Sequence, residues 1–122
     1  MGKKILIVDD SKTARREIVR LVHNQGLMAF EAENGRYAME IVKNRTDIGL
    51  IFCDVNMPEM NGLEFLAALR QDPNHVETPV IMLTSEAAED VLTKAKEYGI
   101  RGWILKPAQA SSVKSLLEKF CS

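Results

Sequence analysis

Several residues that can do chemistry stand immediately after short apolar runs. Asp9 and Asp10 follow Ile5-Leu6-Ile7-Val8, and Asp54 follows Leu50-Ile51-Phe52-Cys53. Thr84 and Ser85 follow Val80-Ile81-Met82-Leu83, and Lys106 follows Trp103-Ile104-Leu105. A short apolar run bounded by turn residues reads as a strand buried on both faces. A charge at its end needs a purpose, and in open α/β sheets the carboxyl edge of the strands is where ligands bind. Neighbouring strands lie about 4.8 Å apart, so side chains at adjacent ends can share one ligand. If the first and third strands are neighbours, Asp9, Asp10 and Asp54 crowd one pocket. Two like charges at about 4 Å repel by about 4 kcal/mol at an effective dielectric near 20. Such a cluster calls for a counter-ion or for protonation of one member. Oxygen ligands without His or Cys fit a hard cation, and the expected one is Mg²⁺. Lys106 adds a positive charge and Thr84 a hydroxyl donor. Together these groups suit a phosphoryl group, with a carboxylate as the nucleophile that forms an acyl phosphate.

The elements that must position these residues alternate along the chain. Ser11 caps a first helix with Ala14, Ile18, Leu21 and Val22 inward, stopped by Gly26. Met28 to Ala32 reads as an edge strand because it carries Glu31. Asn34-Gly35 opens a second helix with Ala38, Ile41 and Val42 inward. After Asp54, Pro58 and Asn61-Gly62 break the structure, and Asn61 caps a third helix carrying Leu63, Leu66 and Leu69. Ala88, Val91, Leu92 and Ala95 mark a fourth helix, closed by Gly99, and Val113, Leu116, Leu117 and Phe120 mark the last. Five strand–helix units imply an α/β, doubly wound parallel sheet with right-handed crossovers.

With 122 residues the chain is expected to form a single domain, residues 1–122, without an output domain. Lys+Arg 16 against Asp+Glu 17 leaves a net charge of −1 and no basic stripe, which argues against nucleic acid or an anionic membrane as a partner. The apolar run after Lys3-Lys4 is too short for a signal peptide or a membrane span, so a soluble cytoplasmic protein, monomeric in the absence of an output domain, is expected. Cys53 and Cys121 lack metal-ligand spacing and read as a core residue and a terminal thiol. His23 and His75 are read as solvated. Lys12 and Arg15 are read as a solvated helix face, with help to the site's electrostatics as the lesser alternative.

The motifs Ile-Leu-Ile-Val-Asp-Asp (5–10), Asp-Val-Asn-Met-Pro-Glu-Met-Asn-Gly-Leu-Glu (54–64), Leu-Thr-Ser-Glu (83–86) and Lys-Pro (106–107) resemble those of response regulator receiver domains, most closely the stand-alone chemotaxis type. The resemblance spans nearly the whole chain. It implies a flavodoxin-like, CheY-like (βα)5 sheet in order 2-1-3-4-5, and a two-component phosphorelay in which a sensor histidine kinase phosphorylates Asp54. It implies Mg²⁺ held by Asp10, Asp54 and the Asn56 carbonyl directly and by Asp9 through water, with Thr84 and Lys106 on the phosphoryl group. It also implies a Thr84–Trp103 switch, with Trp where the family more often has Tyr or Phe, and a partner face built from the fourth strand, fourth helix and fifth strand. Asn56 and Glu86 occupy positions that tune dephosphorylation, and the Lys106–Pro107 bond is expected to be cis. The implied partners are the kinase, a downstream target such as the flagellar motor switch, and a phosphatase; no turnover of an external substrate is expected. A phosphate sink or relay adaptor is the nearest alternative. An aspartyl-phosphate phosphohydrolase would want a carboxylate where Asn56 stands, and an FMN carrier a phosphate-binding loop where Asp9-Asp10 stands.

Overall fold

The computed structural model describes residues 3–85 and 89–121. Its elements are β1 (Lys4–Val8), α1 (Lys12–Asn24), β2 (Met28–Ala32), α2 (Gly35–Val42), β3 (Ile48–Asp54), α3 (Gly62–Gln71), β4 (Val80–Thr84), α4 (Glu89–Glu97), β5 (Gly102–Leu105) and α5 (Ala110–Cys121). The sheet is parallel throughout, in the order β2-β1-β3-β4-β5. This is the expected doubly wound order, with β1 and β3 side by side and β2 and β5 at the edges.

Successive strand residues face opposite sides of the sheet, and each side has its own core. Ile5, Ile7, Leu50, Phe52, Ile81, Leu83 and Ile104 pack with Ile18, Val22, Val113 and Leu117 of α1 and α5. Leu6, Val8, Ile51, Cys53, Val80 and Met82 pack with Ala38, Val42, Phe65, Leu66, Leu69 and Ala95 of α2, α3 and α4. Of the strands that read as continuous apolar runs, β1, β3 and β4 are buried from both sides, β3 along its whole length, whereas β5, at the sheet edge, leaves Trp103 and Leu105 exposed.

Local signals set the helix ends. Ser11 Oγ accepts from Ala14 N–H at the start of α1, and Asn34 Oδ1 accepts from Tyr37 N–H at the start of α2. Asn61 and Glu64 form a reciprocal capping box on α3. Gly26 and Gly99, both at φ +74, follow α1 and α4 in the left-handed conformation that favours glycine. The Lys106–Pro107 bond is cis.

His75 departs from the sequence expectation. It is buried at 1 % exposure, with Nε2 2.9 Å from the Val42 carbonyl and Nδ1 2.9 Å from Thr78 Oγ1. The ring ties the end of α2 to the loop before β4. Arg70 secures the same loop by donating to the carbonyls of His75, Thr78 and Tyr98. Both ring nitrogens have partners, so burying the imidazole leaves no polar group unpaired. His23 is exposed, as expected.

Candidate functional site

The register that pairs Val8 with Cys53 carries Asp9 alongside Asp54 at the carboxyl edge. Strand alternation then sorts the site by side. Asp9 continues the Ile5–Ile7 series, Asp54 the Leu50–Phe52 series and Lys106 the parity of Ile104, all on the α1/α5 side. Thr84 continues the Val80–Met82 series on the opposite side.

Asp9 and Asp54 are buried, while Asp10 is exposed at the mouth of the site. One carboxylate oxygen from each of the three lies within 4.8 Å of the others. Lys106 Nζ lies 2.7 Å from Asp9 Oδ2 and 3.4 Å from Asp54 Oδ2. Asp9 Oδ1 accepts from the Ser11 N–H at 2.9 Å. Apart from the Lys106 ammonium, no donor among the described residues satisfies Asp9 Oδ2. The Thr84 hydroxyl is likewise buried without a hydrogen-bond partner among them.

Burial pushes the Asp54 carboxyl up to about 6, and the charge of Asp9 pushes the same way. Lys106 opposes this shift but does not overcome it. Burial works against the Lys106 charge, yet the Asp9 carboxylate, with Asp54 behind it, holds that ammonium above its ordinary range. The cluster therefore has more negative than positive charge and a buried oxygen open to another ligand. Its donors are all hard oxygens, which fits Mg²⁺. Beside it an open groove of about 480 Å³ is lined by Ser11, Ala14, Ile18, Pro107 and Ala108, with Asp9 and Lys106 at its rim.

Asn56 is exposed in the loop after β3, near the acidic cluster in sequence. Glu86 and Ala88 lie outside the described residues. Trp103 pairs in register with Met82, is 47 % exposed, and has the Lys96 ammonium 5.1 Å from its ring centroid. Leu105, opposite Thr84, is also exposed. The apolar surface of β5 thus lies on the same side of the sheet as Thr84.

Two residues have a larger part than the sequence reading gave them. Arg15 is not solvated: its Nη1 donates to the Asp9 carbonyl at 2.7 Å and its Nε to Glu31 Oε1 at 2.9 Å, with the side chain 13 % exposed. Its place one turn after the Ser11 cap was the available signal, since the first turn of α1 leans back over the end of β1. Gly62 was read as a break, and it is also a point of close approach. A Cβ there would collide with the Asp54 carbonyl oxygen and come within 2.9 Å of Met82 Cε. Its N–H donates to the Val55 carbonyl, which closes the loop after β3.

Residues 5–118 match the response regulator receiver domain family. The chain belongs to that family. It is 37 % identical over 119 residues to the chemotaxis protein CheY homolog of Campylobacter jejuni, covering 94 % of this chain and 89 % of that protein. It is also 37 % identical over 117 residues to the chemotaxis protein CheY of Pseudomonas aeruginosa, covering 95 % and 94 %. The solved structure of the chemotaxis response regulator CheY4 of Vibrio cholerae superposes with a TM-score of 0.89 at 31 % identity, covering 98 % of this chain and 99 % of that one. This receiver is therefore homologous to the CheY response regulators, in keeping with two-component phosphorelay signalling. Receivers of this kind are signalling proteins, not classical enzymes, and they imply a histidine kinase donor and a downstream target. They typically hold Mg²⁺ in an acidic pocket, and here the acidic cluster is Asp9, Asp10 and Asp54. No helix among the described residues is long and apolar enough to cross a membrane.

Proposed function

We propose that this receiver is a chemotaxis switch whose phosphoacceptor is Asp54. The observation that carries the reading is the convergence of Asp9, Asp10, Asp54 and Lys106 at one strand edge, with a buried Thr84 hydroxyl that has no hydrogen-bond partner among the described residues at the end of the adjacent strand. An Asp54 oxygen attacks the phosphorus of a kinase phosphohistidine. The P–N bond breaks, its electron pair stays on the imidazole, and an acyl phosphate forms on Asp54. Lys106 supplies positive charge to the phosphoryl oxygens and stays anchored to Asp9 as it does so. Asp9, Asp10, Asp54 and the Asn56 carbonyl would hold Mg²⁺. When bound, the ion neutralises charge on the transferring group.

Thr84 couples this edge to the surface. Its buried hydroxyl has no partner among the described residues, and a phosphoryl oxygen on Asp54 supplies an acceptor. The resulting pull acts on the side of the sheet that carries Trp103 and Leu105. That side, built from β4, α4 and β5, is the docking face for the downstream target, with Trp103 as the reporter of the switch. Asn56 and Glu86 set how readily water reaches the acyl phosphate, and so the rate of self-dephosphorylation.

The test is intact mass after treatment with acetyl phosphate, with and without Mg²⁺, alongside Asp54→Asn. A gain of one phosphoryl group, about 80 Da, that requires both Mg²⁺ and Asp54 is expected. No adduct in the wild-type chain, together with no binding of beryllofluoride, overturns the reading.

A further inference from the structure

We propose that Arg15 is a positioning residue for the metal site, through a brace that runs from Glu31 on the edge strand β2 to the Asp9–Asp10 peptide. The inference rests on the Mg²⁺-dependent reading of the site given above.

Asp9 is held from both ends of its backbone. Its N–H donates to the Ala32 carbonyl at 3.0 Å, and its own carbonyl accepts from Arg15 Nη1 at 2.7 Å. The second contact fixes the plane of the peptide that joins Asp9 to Asp10, and therefore the directions in which the two carboxylates leave the chain. Arg15 is itself fixed by Glu31, 2.9 Å from its Nε, and Glu31 is also 3.5 Å from the Nε of Arg16. Without Arg15, the Asp9 side of the site would rest on the Asp9–Ala32 bond, the Ser11 N–H and the Lys106 ammonium. Asp10 is exposed and lies two residues beyond the end of β1, so its direction depends more heavily on that one peptide plane.

Charge and position predict opposite signs. Arg15 is a cation near a cation site, so as a charge alone it repels Mg²⁺, and removing it would tighten binding. As a brace it holds two ligands in place, and removing it weakens binding. Loss of a residue that orients metal ligands typically costs 10–100-fold in affinity. The expected change for Arg15→Met, which keeps the aliphatic stem, is therefore about tenfold weaker Mg²⁺ binding. Glu31→Gln keeps an acceptor for Nε but loses the ion pair, so its effect should be smaller and of the same sign. Arg15→Lys keeps the charge but replaces the rigid pair of nitrogens, Nε on Glu31 and Nη1 on the Asp9 carbonyl, by one ammonium nitrogen on a flexible stem, and should weaken binding as Arg15→Met does.

Isothermal titration calorimetry of the full chain with MgCl₂ decides the matter, with the metal-free thermal melt of each variant as the folding control. Weaker binding in Arg15→Met and Arg15→Lys, with Glu31→Gln between them and wild type, supports the brace. Unchanged or tighter binding in variants that melt cooperatively overturns it and leaves the functional reading intact. If Arg15→Met does not melt cooperatively, Arg15→Lys alone decides by the same criterion. Wild type that binds no Mg²⁺ overturns the functional reading and the brace with it.

Discussion

Asp54→Asn should make the metal-free protein more stable at neutral pH, although it removes the proposed acceptor. Asp54 is held at about 6 instead of 3.8, chiefly by burial and then by the Asp9 charge. A carboxyl raised in the folded state binds its proton more tightly there than in the unfolded chain. Its contribution to stability is fully present below about 3.8 and is lost as pH rises through about 6. At pH 7.5 the folded protein therefore carries an unfavourable carboxylate. At about 1.36 kcal/mol per pH unit, the difference sets a ceiling of about 3 kcal/mol. Solvent at the open mouth of the site and the lost contact with Lys106, 3.4 Å away, reduce this to about 1–2 kcal/mol. For a domain near this size that is roughly 4–10 °C in Tm. Thermal melts in EDTA at pH 7.5 and pH 4 measure the effect. The Asn variant should melt higher at pH 7.5, and the gap should shrink at pH 4, where wild-type Asp54 is largely protonated. Mg²⁺ should close the gap from the other side, since a ligand at ten times its dissociation constant adds about 1.4 kcal/mol to the form that binds it. A gap that does not change with pH, or a variant less stable than wild type in EDTA at pH 7.5, would refute this account of the cluster.

Other perturbations separate the roles of single residues. Thr84→Ala removes a buried hydroxyl that has no partner among the described residues. It should leave metal-free stability within about 1 kcal/mol of wild type but abolish the Trp103 fluorescence response to beryllofluoride; a retained response would sink the Thr84 coupling. Lys106→Met should slow phosphorylation by acetyl phosphate at least tenfold while Mg²⁺ still binds, as followed by mass and calorimetry. Gly62→Ala forces a methyl against the Asp54 carbonyl and Met82 and should cost about 1–3 kcal/mol by overpacking, with weaker Mg²⁺ binding, in urea melts and calorimetry. His75→Ala leaves the Val42 carbonyl and the Thr78 hydroxyl without their ring partners. It should cost about 2–4 kcal/mol with the phosphorylation rate of the folded protein unchanged, which distinguishes a structural histidine from a functional one.

The strand ends were legible because apolar runs and punctuating turns carry the fold at short range. Asp9, Asp54 and Lys106 could be placed on one edge by alternation of elements alone, and the 2-1-3-4-5 order that makes β1 and β3 neighbours came with the family resemblance. Arg15 and His75 were misread for one shared reason. Each finds its decisive partner in a backbone carbonyl, of Asp9 and of Val42. A carbonyl is present at every residue, so no pairing of side-chain types announces the contact. In the case of His75 the partner is also 33 residues away in sequence. Trp103 illustrates a different difficulty. Its run read as a strand buried on both faces, but β5 is an edge strand, and alternation leaves Trp103 and Leu105 facing solvent while Ile104 is buried.

The electrostatics of the site and its proposed use share one cause. Three carboxylates with oxygens within 4.8 Å of each other, two of them buried and sharing one lysine, leave net negative charge at a largely buried edge. A more stable arrangement would neutralise it, as Asp54→Asn does in part. On the proposed reading, that excess would give the pocket its affinity for a hard cation. A bound cation would offset the charge that repels a phosphoryl group and leave the Asp54 oxygen usable as a nucleophile. Lys106 cannot replace the cation, because it is already committed to Asp9 at 2.7 Å. Without metal, then, acetyl phosphate should find a folded protein with an intact Asp54–Lys106 pair and still fail to modify it. Modification of the EDTA-treated chain at the rate seen with Mg²⁺ would show that lysine alone suffices.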